Sequence, residues 1–141
     1  MWYGLAADAM VVIHCAYVGY VVLGQLAIWL GWLLGWRWVR NFWFRTTHLA
    51  AIAFVAFEEA IAMDCPLTVW EAQLRTLAGK DVRAGTFMGR LFHDLLFLPL
   101  PAQYFTWMHV GFAALVVGTF VLCPPRRPAW LTRRPAEVRA A

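Results

Sequence analysis

Serine is absent from this 141-residue chain. With no Gly-x-Ser-x-Gly turn either, the serine-nucleophile hydrolases are excluded. There is no glycine-rich phosphate loop, and no His-Glu-x-x-His or His-x-x-x-His pair sets metal ligands at helical spacing. Charged residues make up only 14% of the sequence, roughly half the share in a soluble domain, so an ordinary cytosolic globule is excluded as well. Cysteine is scarce: Cys15, Cys65 and Cys123 include no Cys-x-x-Cys pair, and no disulfide is expected. Cys15 and Cys123 fall within or at the end of apolar runs, where a reduced packing role fits. No internal repeat is visible.

The chain is instead rich in apolar surface. It is 62% hydrophobic, with a mean hydropathy of +0.61, nine tryptophans and ten phenylalanines. Such rings concentrate at membrane interfaces. The net charge of +4 sits in two short clusters beside apolar runs. It reads as a topology signal, and nucleic acid is not an expected partner.

The expected fold is all-α and polytopic, one membrane domain over residues 1–123 with an Arg/Pro-rich tail over 124–141. Three apolar runs, about 5–34, 42–63 and 101–123, are each long enough to span a bilayer. The turn after the first holds Arg37, Arg40 and Arg45, and the tail holds five more arginines. Basic residues mark the cytoplasmic side, so the N-terminus is expected outside and the tail inside, against anionic lipids with Trp130. The segment 64–100 is expected to form two amphipathic helices, about 66–78 and 86–98, lying on the outer surface or capping the bundle. Leu67, Trp70, Leu74 and Leu77 form one stripe with Gly79 as the stop; Phe87, Leu91, Leu95 and Leu98 form the other. In the third run Gly111, Ala114 and Gly118 suit close helix contact.

Ionisable groups within such runs are functional suspects, because each costs several kcal/mol in lipid unless partnered. Along their helices His14 lies ~14 Å, His109 ~12 Å and Glu58 and Glu59 ~6–8 Å from the outer end. His93 is expected above them, and Arg45 and His48 form a polar pair in the cytoplasmic half. His48 and Glu59 share a helix face, and Glu58 is expected to point toward Trp70, Arg75 or Arg90. Three roles compete for this group. It could bond across helices as a structural network, ligate haem b or a chlorin metal through His14 and His109, or serve a quinone or proton site built on His14 and Glu59.

The runs IHCAYVGYVVLG, DCPLTVWEAQLRTLAG and FMGRLFHDLLFLPLP resemble a family of small bacterial inner-membrane proteins known as domain of unknown function 2784, over about residues 5–123. Cys65-Pro66-Leu67-Thr68 followed by Glu71 and Arg75 looks like the family's hallmark; His14, His48 and Glu58 or Glu59 match its membrane positions. The resemblance implies a multi-pass fold and a bacterial inner-membrane location, but no activity.

With no catalytic motif and with Trp29, Trp32, Trp36, Trp38 and Trp43 crowding one flank, a non-enzymatic accessory or assembly subunit is expected. Its host would be a larger membrane complex, such as a respiratory or photosynthetic electron-transfer assembly. A haem b redox protein using His14 and His109 and a quinone- or proton-handling enzyme are the alternatives.

Overall fold

Local sequence sets each helix boundary in the structure, a computed structural model that describes residues 2–82, 85, 87–97 and 101–126. Residues 127–141, with Trp130 and the lipid-facing arginines expected there, lie outside the described residues, as does Leu98. Five helices and no strand occur among the described residues: α1 (Trp2–Leu33), α2 (Phe42–Ala60), α3 (Pro66–Leu77), α4 (Phe87–Leu96) and α5 (Ala102–Leu122). A 3-10 turn, Trp38–Arg40, precedes α2. Among the described residues two helices are long and apolar enough to cross a membrane, α1 and Gln103–Leu122 of α5. The second apolar run, about 42–63, became α2, 19 residues long, which carries Arg45, Glu58 and Glu59.

Asn41 starts α2 by accepting hydrogen bonds from the Trp43 and Phe44 amides, the usual service of an Asn cap. Pro66 occupies the first turn of α3, where its missing N–H costs nothing. Gly79, at φ +66°, ends α3 while Lys80 N donates to Arg75 O and Gly79 N to Thr76 O, a Schellman closure. Helix α2 closes in the same pattern, with Met63 N on Glu58 O and Ala62 N on Glu59 O. Here the left-handed residue is Ala62, at φ +51°, a conformation that costs an alanine about 1–2 kcal/mol.

Helices α1, α2 and α5 meet at Val21, Ile52 and Val116, against which Tyr17, Leu49 and Phe112 pack. The buried face of α1 runs Ala7, His14, Val21, Gln25, Ile28, steps of three, four or seven that keep one face inward. Close approach occurs at Gly24 and Gly31. A Cβ on Gly24 would stand 2.7 Å from His48 Cδ2, and one on Gly31 would meet the Val39 side chain.

The small-residue stripe expected to mediate contact on α5 does not do so within the chain. Gly111 and Ala114 are exposed, and a Cβ on Gly111 or Gly118 would meet nothing within 4 Å. Polar bonds from Glu59 and Arg45 instead set the rotation of α5 and turn Phe105, His109, Phe112, Val116 and Thr119 inward.

Helix α3 does not lie across the bundle mouth as a surface helix would. It runs antiparallel beside the first part of α1. Gly4 faces Lys80, Asp8 binds Arg75 at 3.4 Å, and His14 reaches Cys65. His14 is therefore level with the end of α2, and residues 2–13 of α1 continue ~18 Å past that level. The depth expected from counting residues along α1 overstated how far His14 lies inside the three-helix part.

Candidate functional site

Where α2 ends, the three long helices part and α4 closes over the gap. The space is a cavity of about 660 Å³ lined by all five helices, α3 through Thr68 alone, and by the 62–65 turn. His14, Glu58, Glu59, Cys65, Thr68 and His109 all line it, among mainly apolar neighbours. The structure thus brings four of the sequence's polar suspects to one site. His93 does not join them: its exposed side chain lies 3.5 Å from Asp94, on the solvent side of α4.

Two acid–imidazole groupings form the polar end. On one side His109 Nδ1 and Glu59 Oε1 share a 2.8 Å hydrogen bond, and Thr106 Oγ1 donates to Glu59 Oε2 at 2.8 Å. Thr106 was missed by sequence reasoning, although it sits one turn before His109 on the same face. On the other side Cys65 Sγ lies 4.0 Å from His14 Nε2, with the Glu58 carboxyl beside it. Burial, with the Glu58 charge adding to it, pushes the Cys65 thiol up. Glu58 is only 4% exposed, and its Oε1 has no hydrogen-bond partner. It does not point toward Trp70, Arg75 or Arg90 as expected, because both arginines are held by a different acid.

That acid is Glu71, buried on α3. It accepts Arg75 Nε at 2.8 Å and, from α4, Arg90 Nη2 at 2.5 Å and Nη1 at 3.4 Å. Burial alone would raise the Glu71 carboxyl, but hydrogen bonds and charge from Arg75 and Arg90 outweigh it and hold the group below the usual carboxylate range. Through Arg75 the network reaches Asp8 on α1. The Cys65-Pro66-Leu67-Thr68, Glu71, Arg75 run thus starts α3, lines the cavity with Cys65 and Thr68, and ties α4 over it through Glu71.

Aromatic contacts complete the roof. The Phe87 ring stacks on His14 with centroids 3.8 Å apart and planes 13° apart, and Phe92 meets Phe105 edge-on at 5.6 Å. In the sequence Phe87 is only part of an amphipathic stripe, and Tyr17, whose hydroxyl donates to Ala51 O at 2.6 Å, does not stand out. Tyr17 lies three residues after His14, a spacing that marks the same face.

At the opposite end Arg45 and His48 do not pair with one another. Arg45, 2% exposed, donates from Nη2 to Thr119 O and Cys123 O, both at 2.9 Å, capping the last carbonyls of α5. His48 Nε2 lies 2.8 Å from Val21 O on α1. His48 and Glu59 thus share a face of α2 but serve different neighbours.

For a metal or haem the fit is poor. No grouping of three His, Cys, Asp or Glu side chains suited to an ion occurs among the described residues. His109 is engaged through Nδ1 by Glu59, and His14 lies flat against Phe87, the space a macrocycle would need. What the site can do is offer hydrogen bonds at one end of an apolar chamber.

An all-helical protein, with two helices fit to cross a membrane and a polar-tipped cavity between them, is the class these observations define. The chain belongs to the family described as Protein of Unknown function (DUF2784), whose profile matches residues 4–125. No curated protein and no solved structure matches it significantly.

Proposed function

We propose that this is a three-span protein of the bacterial inner membrane, N-terminus outside and C-terminus inside, that binds a small molecule with an apolar body and a polar head in the cavity beneath α4. The carrying observation is the cavity itself. It joins a chamber walled by Val18, Val22, Val55 and Phe112 to a polar tip of His14, Glu58, Glu59 and His109, as ligand sites combine apolar walls with few placed polar groups. A third span through α2 is supported by the inward setting of Arg45, His48 and Glu58, all buried, which spares lipid any contact with them. Isoprenoid quinones and single-chain lipids both have this shape, so the quinone-handling alternative is the form of the reading nearest to chemistry. The test is titration of the nanodisc-embedded protein with a neutral solvatochromic naphthalene probe. Saturable binding that Val18→Trp abolishes supports the reading; lipid-like partitioning that ignores the substitution ends it.

A second reading, an accessory subunit of a larger membrane complex such as an electron-transfer assembly, is favoured by the outward stripe of Gly111 and Ala114 on α5. Small residues facing outward suit another helix better than lipid. Retention in a larger particle after mild detergent extraction, lost in Gly111→Leu, is its test. The two readings are compatible, since a subunit can carry a ligand.

A further inference from the structure

The charge pattern of the cavity narrows its ligand further, an inference that rests on the binding reading above. Among the described residues its lining carries three carboxylates, Glu58, Glu59 and Asp64, and neither lysine nor arginine. The nearest arginines are engaged elsewhere, Arg75 and Arg90 both on Glu71. Glu59 has His109 and Thr106 as partners. Glu58 has the Cys65 thiol beside it, and its Oε1 is buried with no hydrogen-bond partner.

A carboxyl oxygen withdrawn from water and left open is costly until a donor reaches it, and a cationic donor offsets the cost best. Position adds to this. Glu58 and Glu59 occupy the last turn of α2, where the helix dipole is negative and favours a cation alongside. The rings of Tyr17, Phe87, Phe92 and Phe112 line the same space and offer π faces to an organic cation. We propose that the cavity binds an organic ammonium, its charge drawn to the Glu58 carboxyl at the polar tip and its apolar body lying between α1, α2 and α5. A quinol or other neutral hydroxyl compound would use the same carboxyl without the charge, so charge is what the experiment varies.

The full chain, in nanodiscs of zwitterionic lipid with empty discs subtracted, is titrated calorimetrically with phenylbutylammonium and with phenylbutanol, two donors of the same shape. The ammonium is expected to bind at least about tenfold more tightly than the alcohol, and Glu58→Gln to remove most of that preference. Equal affinities, or a preference that survives Glu58→Gln, overturn the ammonium assignment, while saturable binding of the alcohol leaves the cavity reading standing. Binding of neither probe ends both. Should Glu58→Gln fail to fold, Glu58→Asp, which keeps the charge, must retain the preference, and the wild-type comparison decides on its own.

Discussion

The imidazole of His14 lies flat against the ring of Phe87, with 3.8 Å between centroids, so the roof helix α4 rests directly on the wall of the cavity. Phe87→Ala removes that seat and is expected to cost about 3 kcal/mol, the low end for a buried phenylalanine, since the roof can partly settle. Hydrogen exchange should quicken in α4 and leave the amides around Val21, Ile52 and Val116 unchanged. Uniform quickening throughout would show that α4 is not a separate cover.

Gly24 is where α1 makes room for His48. An alanine there puts Cβ 2.7 Å from His48 Cδ2, and His48 must leave Val21 O to avoid it. Gly24→Ala is expected to destabilise by about 1–3 kcal/mol, although alanine is the better helix former. Gly111→Ala, whose Cβ would meet nothing within 4 Å, is the control and should be neutral or slightly stabilising. Thermal unfolding in one detergent separates the two.

Glu71 holds α3, α4 and, through Arg75, α1 together. Glu71→Ala takes the shared carboxylate from two half-buried arginines, leaving Arg75 only Asp8, and is expected to cost about 2–4 kcal/mol, after discount for the water that reaches them. The carboxyl titrates below its ordinary value in the folded protein. Its contribution is therefore complete above the ordinary carboxylate range and is lost as pH falls through that range to the folded value. Wild-type stability should fall on acidification below about pH 4.5, and the Glu71→Ala protein should show a smaller fall over the same interval. Parallel curves would remove Glu71 from the account.

Arg45 caps α5 with two hydrogen bonds to its last carbonyls. Arg45→Ala removes both bonds; Thr119 O keeps the Cys123 amide, Cys123 O loses its charged donor, and the change should cost about 1–3 kcal/mol. Arg45→Lys, which brings donors on a point charge without the planar fork, should recover part of it. Cysteine-scanning accessibility along residues 116–123 reports the loosened end; protection unchanged in Arg45→Ala would contradict the cap.

Much of this arrangement was legible in the sequence because its causes are local. Pro66 and Gly79 bracket α3 by backbone rules alone, and spacing put His14, Glu58, Glu59 and His109 near one end. The end of α2 was harder, since Ala62 closes it in a conformation that sequence assigns to glycine. Partner choice was not legible either. Arg75 and Arg90 suited Glu58 as well as Glu71 by charge, and only the antiparallel run of α3 beside α1 brings Glu71 between them. Gly111 and Ala114 likewise formed a plausible contact stripe until the bonds of Glu59 and Arg45 fixed the rotation of α5. Long-range geometry of this sort leaves no periodic mark along a single chain.

Native mass spectrometry of the protein released from its own membranes tests the ligand-binding claim most directly. The account predicts an added mass, a small molecule with an apolar body, on the wild-type chain and its absence from Val18→Trp, whose indole fills the chamber. A bare wild-type chain, or an adduct that Val18→Trp retains equally, would contradict it.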